Sequence, residues 1–148
     1  MYKHILVPTD GSKLSLSAAK AAARLAKDLG AKVTSLYVIE PYMPPMQTDG
    51  AAFYPSNGAK EYEKATRKSA DAALARVKAA VAATKVPFEG VATVGASPWA
   101  QIIDTAKKES CDLIVMASHG RRGLEALLLG SETQKVLTHS KVPVLVCR

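Results

Sequence analysis

The strongest constraint on this chain is an alternation: short segments rich in β-branched residues are separated by longer, alanine-rich segments whose apolar positions recur at helical spacing. A helix between two strands carries the chain back to the starting end of the sheet, so strands in such a series pair in parallel. Residues Lys3 to Val7 read as a first strand, followed by a turn at Thr9-Asp10-Gly11-Ser12. Ser15 to Leu29 then has apolar residues at 19, 22, 23, 26 and 29, the spacing of one helix face. Gly30 is placed to cap it in the left-handed conformation, and Lys32 to Val38 forms the second strand.

Residues 41 to 58 hold Pro41, Pro44, Pro45, Pro55, Gly50 and Gly58, a composition that sustains neither ladder nor helix and reads as a lid-like loop. Residues 59 to 84 return to helix, with Tyr62, Ala65, Ser69, Ala73, Val77, Ala80 and Thr84 predicted along one face. Phe88 to Val94 is a third strand, and Ser97-Pro98 supplies an N-cap hydroxyl and a proline at the first position of the next helix. Leu113 to Ala117 and Val142 to Cys147 are apolar runs of the kind found in covered parallel strands. The fold class that follows is α/β, an open five-stranded parallel sheet with helices on both faces.

Length and composition narrow the function. The 148 residues, 48% hydrophobic, suit one domain spanning 1–148. No apolar run approaches the ~20 residues that cross a bilayer, and Ile5 to Val7 is too short for a signal-peptide core, so a soluble, unexported protein without a membrane partner is expected. Cys111 and Cys147 are too few for a disulfide scaffold and lack metal-ligand spacing, which suits a reducing, cytoplasmic compartment and two buried thiols. The net charge of +7 raises polyanions as partners, yet the cations are spread through every helix and aromatics are only 5%, so no specific nucleic acid is expected.

Ligands bind open parallel sheets beyond the carboxyl ends of the strands, where the strand order reverses, so the turns after strands one, two and four are the places to search. After strand four stands Ala117-Ser118-His119-Gly120-Arg121-Arg122-Gly123, and after nine intervening residues, 121 to 129, comes Gly130-Ser131 at the start of a helix. Two glycine-bearing segments can converge their amides on one anion, and the first turn of that helix adds unpaired N–H groups. Ser131 is the predicted N-cap with Gln134 completing a capping box, and Arg121 and Arg122 add positive charge. A phosphate chain fits this description. No Walker motif and no Gly-x-Gly-x-x-Gly after strand one occurs.

The segments Val7-Pro8-Thr9-Asp10-Gly11-Ser12, Asp112 to Gly120, Gly130-Ser131 and Val142-Pro143-Val144-Leu145-Val146 resemble the universal stress protein family, single-domain bacterial type, along the whole chain. The ATP-binding branch of that family carries Gly-x-x-Gly, nine residues, then Gly-Ser/Thr. Here Gly120, residues 121 to 129 and Gly130-Ser131 match, and Ala117 stands where the first glycine would be. The resemblance implies a Rossmann-like sheet in the order 3-2-1-4-5 and an adenine-nucleotide site. In that site Asp10 meets the nucleoside, Val38 the adenine and Ala117 the ribose, while Gly120, Gly130, Ser131 and the amide of Glu132 hold phosphates. Pro8, Thr9, Met116, Ser118, His119, Arg121, Arg122 and Gly123 complete its lining. ATP, or another adenine nucleotide, with Mg or Mn carried on the phosphates, is the implied cofactor.

The terminal strand is an edge in the family order and apolar on both faces, which implies a homodimer pairing Val142 to Cys147 of two chains. The implied function is a dimeric nucleotide-binding module in stress response or signalling. Two alternatives stand beside it: a slow ATPase or self-phosphorylating enzyme using Ser118 or Ser131, and a family member that does not bind ATP, which Ala117 keeps open. Residue by residue there are plainer readings too. Asp10 also suits a turn residue bonded to the amides of Gly11 and Ser12. His119 beside Ser118 invites a catalytic dyad for which no acid or oxyanion site can be assigned. His4, His139 and Trp99 read as structural.

Overall fold

In the computed structural model, which describes residues 1–44, 57–120 and 129–148, five strands pair into one parallel sheet in the order β3-β2-β1-β4-β5. The elements run β1 (His4–Pro8), α1 (Lys13–Leu29), β2 (Lys32–Ile39), α2 (Gly58–Ala82), β3 (Phe88–Val94), α3 (Pro98–Lys108), β4 (Leu113–Ala117), α4 (Ser131–His139) and β5 (Val144–Cys147). Among the described residues no helix is long and apolar enough to cross a membrane. The stretch read as a lid falls mostly on 45–56, outside the described residues.

The period-two alternation of the strands divides the core. Ile5, Val7, Val33, Leu113 and Val115 face a layer made by α1 and α2, where Ala19, Ala22, Ala23, Ala26, Val77 and Val81 meet them. Leu6, Leu36, Ile114 and Met116 face the other layer, with Ile102 and Ala106 of α3 and Val136 of α4. Because the buried face of α1 is alanine nearly throughout, its backbone can lie close to the strands. β1 and β4 occupy the middle of the sheet, which is why their side chains are buried almost without exception.

Local signals account for most boundaries. Ser12 caps α1 by accepting the Ser15 amide at 3.1 Å, and Gly30 ends it at φ 65°, a conformation costly for any residue with a Cβ. α2 departs from the sequence expectation: its buried stripe is Ala70, Ala73, Val77 and Val81, while Ala65 and Ser69 are exposed. The helix is alanine-rich on several faces, so tertiary contact chose among near-equal stripes. β5 begins at Val144, two residues after the expected Val142, because Val142 donates to Ser140 Oγ in a turn.

Candidate functional site

The carboxyl ends of β1, β2 and β4 surround a cleft of about 710 Å³. Its first wall is the turn after β1. Thr9 is anchored there by its amide, which donates to the Leu36 carbonyl at 2.8 Å, and by its hydroxyl, 3.0 Å from Ser15 Oγ. Asp10 follows, and its Oδ1 accepts the Ser12 amide at 2.9 Å. Gly11 sits at φ 79°, the left-handed turn residue that lets the chain enter α1 directly. The Asp10 carboxylate thus takes one of the two amides expected of it, that of Ser12, while the Gly11 amide donates to Thr9 Oγ1 at 3.2 Å; Asp10 also lines the cleft.

The second wall comes from the end of β4 and the start of α4. Ser118 is buried: its amide donates to the Cys147 carbonyl, its own carbonyl accepts the Gly130 amide at 2.8 Å, and its Oγ lies 3.1 Å from His119 Nδ1. Gly130 thus fastens the loop to α4. A Cβ at Gly130 would lie 3.0 Å from His119 Cα, and one at Gly120 would lie 2.7 Å from Asp10 Oδ2. Both glycines lie where one protein segment approaches another: a side chain at Gly120 would displace the Asp10 carboxylate, and one at Gly130 would press on the His119 backbone.

The capping expectations change at this wall. Gly130, not Ser131, is the N-cap of α4, and Gln134 reaches back with Nε2 to the Leu129 carbonyl instead of closing a capping box. Ser97 stands at the N-cap of α3 without a side-chain cap bond, and the Trp99 amide is taken by Glu132 Oε2 at 2.8 Å. Glu132 Oε1 pairs with Lys135 at 3.1 Å. One carboxylate on α4 therefore does the capping for α3, and the two helix starts are tied together beside the cleft.

The universal stress protein family model matches residues 1–148. The chain belongs to the universal stress protein family. A universal stress protein of Methanocaldococcus jannaschii is 35% identical over 151 residues, covering 100% of this chain and 83% of the relative. Among solved structures, UspA from Lactobacillus plantarum superposes with a TM-score of 0.81 at 29% identity, covering 99% of this chain and 98% of that one. A universal stress protein solved in complex with cAMP superposes with a TM-score of 0.72 at 25% identity, covering 99% and 97%. The sheet order expected from the resemblance is the observed one.

In this universal stress protein the cleft is lined by Pro8, Thr9 and Asp10 from β1 and its turn, and by Val38 from β2. Met116 and Ala117 of β4 join them, as do His119, Gly120, Gly130, Ser131 and Glu132. Ser118 does not line it, since its side chain is buried behind the loop. Arg121, Arg122 and Gly123 lie outside the described residues. Sequence reasoning missed the far wall, where Ala96, Pro98 and Ile102 face Val38 and Met116 and give the cleft its apolar side. The turn after β3 is not among those next to the reversal of strand order. α3 must nevertheless cross back over the sheet to reach β4, which brings its first turn over the point where the strand order reverses.

The remaining candidates are structural. His4 is buried, with Nε2 2.8 Å from Thr34 Oγ1. Trp99 packs on the second core layer, its ring 4.9 Å from that of His139. Cys111 is a free, buried thiol pushed up to about 12 chiefly by burial; Cys147, expected to be buried as well, is only half-buried on the edge strand, and burial raises it too.

Proposed function

We propose that this chain binds an adenine nucleotide, ATP foremost, in the cleft and works as a dimeric binding module in stress response or signalling. The observation that carries this reading is the convergence, in one cleft at the strand ends, of the Asp10 carboxylate, the apolar wall at Val38, and two glycine-bearing segments that meet at the start of α4. In this reading Asp10 meets the nucleoside, Val38 the adenine and Ala117 the ribose. Gly120, Gly130, Ser131 and the Glu132 amide face phosphates at the electropositive helix start. The relative solved with cAMP supports the choice of an adenine nucleotide. Mg²⁺ or Mn²⁺ would be carried on phosphate oxygens, as is usual for Mg²⁺. Homodimerisation through β5 is part of the same proposal, supported by Leu145 and Leu137, which are 44% and 43% exposed on the edge strand and on α4.

The test is purification without added nucleotide, mass analysis of what co-purifies, and melting with ATP, AMP and cAMP. A ligand at 100 times its dissociation constant adds about 2.7 kcal/mol of stability. If nothing co-purifies and none of the three raises the melting temperature, the nucleotide reading is wrong. Sedimentation as a monomer at micromolar concentration would remove the dimer. A second reading, slow ATP hydrolysis or self-phosphorylation, is supported by His119 and Ser131, which both line the cleft. Incubation with γ-labelled ATP decides it: turnover or labelling lost in His119→Ala would support the enzyme over the module.

A further inference from the structure

α2 touches two walls of the cleft, each time through one side chain that donates to a backbone carbonyl. Tyr62 Oη donates to the Glu40 carbonyl at 2.9 Å, and Arg76 Nη1 donates to the Gly11 carbonyl at 3.1 Å across 65 positions of sequence. Glu40 follows β2 and lines the cleft; Gly11 lies between Asp10, which lines it, and Ser12, which caps α1.

These carbonyls are well chosen for control of the site. The Asp10 carboxylate is oriented through the Ser12 amide, so its direction depends on the two peptide units that flank Gly11. Gly11 has the widest conformational freedom of any residue and is left-handed here; its amide donates to Thr9 Oγ1 at 3.2 Å. A permanently charged guanidinium on its carbonyl adds a charge-assisted restraint. At the other contact Tyr62 is itself braced. Its ring lies 5.4 Å from that of Tyr42, and Gly58 lacks the Cβ that would stand 3.1 Å from the Tyr42 hydroxyl. The chain leaving β2 is thus clamped to the first turns of α2.

We propose that α2 is the strut that sets the geometry of the cleft, with Arg76 and Tyr62 as positioning residues that hold the Gly11 and Glu40 carbonyls. Cleft occupancy and the order of α2 are then coupled, and by linkage the coupling acts in both directions. The binding consequence rests on the reading of the cleft as an adenine-nucleotide site. The positioning itself does not.

The experiment uses the full chain with Arg76→Ala, Arg76→Lys and Tyr62→Phe, and reads two quantities: affinity for ATP, AMP and cAMP by calorimetry, and ligand-free hydrogen exchange at the Gly11 and Ser12 amides. Arg76→Ala and Tyr62→Phe are each expected to weaken binding about 3- to 10-fold, the worth of one hydrogen bond. Arg76→Lys, which can still donate to the carbonyl, recovers most of the loss. Exchange at Gly11 and Ser12 accelerates in Arg76→Ala and stays at the wild-type rate in Tyr62→Phe. Wild-type affinity and wild-type exchange in Arg76→Ala would overturn the proposal. If the wild-type chain binds none of the three nucleotides, the reading of the cleft fails, and exchange alone decides the strut: acceleration in Arg76→Ala supports it and an unchanged rate overturns it.

Discussion

At the amino end of the sheet, Asp112 accepts the backbone amides of Lys3 and His4 at 2.8 and 2.9 Å; at the carboxyl end, Asp10 accepts the Ser12 amide with one oxygen and brings the other close to Gly120 at the cleft. The same residue type serves both ends, but the surroundings differ. Around Asp112 the polar groups answer one another: burial pushes its carboxyl up, the amides of His4, Lys3 and Asp112 itself together with the charge of His4 outweigh that, and the net effect is a carboxyl below its ordinary value. Neighbouring His4 is closed off in the same way, bonded to Thr34 Oγ1 and held below its ordinary value by burial and then by the charge of Lys32. Around Asp10 the polar groups border an open space. A carboxylate that closes a sheet end stabilises the fold. In the proposed reading, the one that borders the cleft meets the nucleoside.

The comparison breaks most visibly if a glycine of the cleft is filled. Gly130→Val brings a Cβ to 3.0 Å from His119 Cα and is expected to cost about 1–3 kcal/mol, with loss of any ligand-induced rise in melting temperature. A variant as stable as wild type would show that the loop has room the present geometry denies it. Next come the two aspartates. Asp112→Ala orphans two amides and should cost about 1–2 kcal/mol in denaturant titrations while leaving nucleotide affinity alone. Asp10→Ala should cost less stability and remove most of the affinity. Reversal of that pattern would sink the division between the two ends.

The smallest effect is a pH dependence that belongs to the amino end. A histidine whose folded value lies below 6.5 takes up its proton more readily when unfolded, so its contribution is fully present above that pH and is lost as pH falls through the folded value. Asp112, also depressed, adds a loss of the same sign below its ordinary value of 3.8. Denaturation midpoints should therefore drop as the pH falls below about 6.5. His4→Gln, which keeps a hydrogen-bonding group without the titration, should flatten that drop; an unchanged slope would assign it to other groups.

The strands, four helices and the sheet's parallel sense were legible because hydrophobic period and glycine placement are local properties: Gly30 ends α1 and Val7 alternates with Leu6 wherever the rest of the chain goes. Legibility failed where two segments compete for one role. Ser131 is a good cap by type, but the Gly130 amide is drawn to Ser118, and that shifts the cap by one residue. Ser97 is a good cap as well, yet a carboxylate from α4 takes the Trp99 amide. The far wall of the cleft was hidden for a related reason, since Ala96 and Pro98 carry no chemistry that a sequence would announce.

What the amino-acid order determined by itself is the alternation, the two-layer core and the strand ends at which Asp10, Val38, Ala117 and Gly120 stand, because these depend on period and on conformational cost within a few residues. Only the tertiary structure decided that the Asp10 carboxylate lies close against Gly120, that Glu132 caps a neighbouring helix, and that Arg76 reaches the Gly11 carbonyl. Each of those joins groups far apart in sequence. Their pairing depends on how helices of given length lie across a sheet of given order, which no local preference contains.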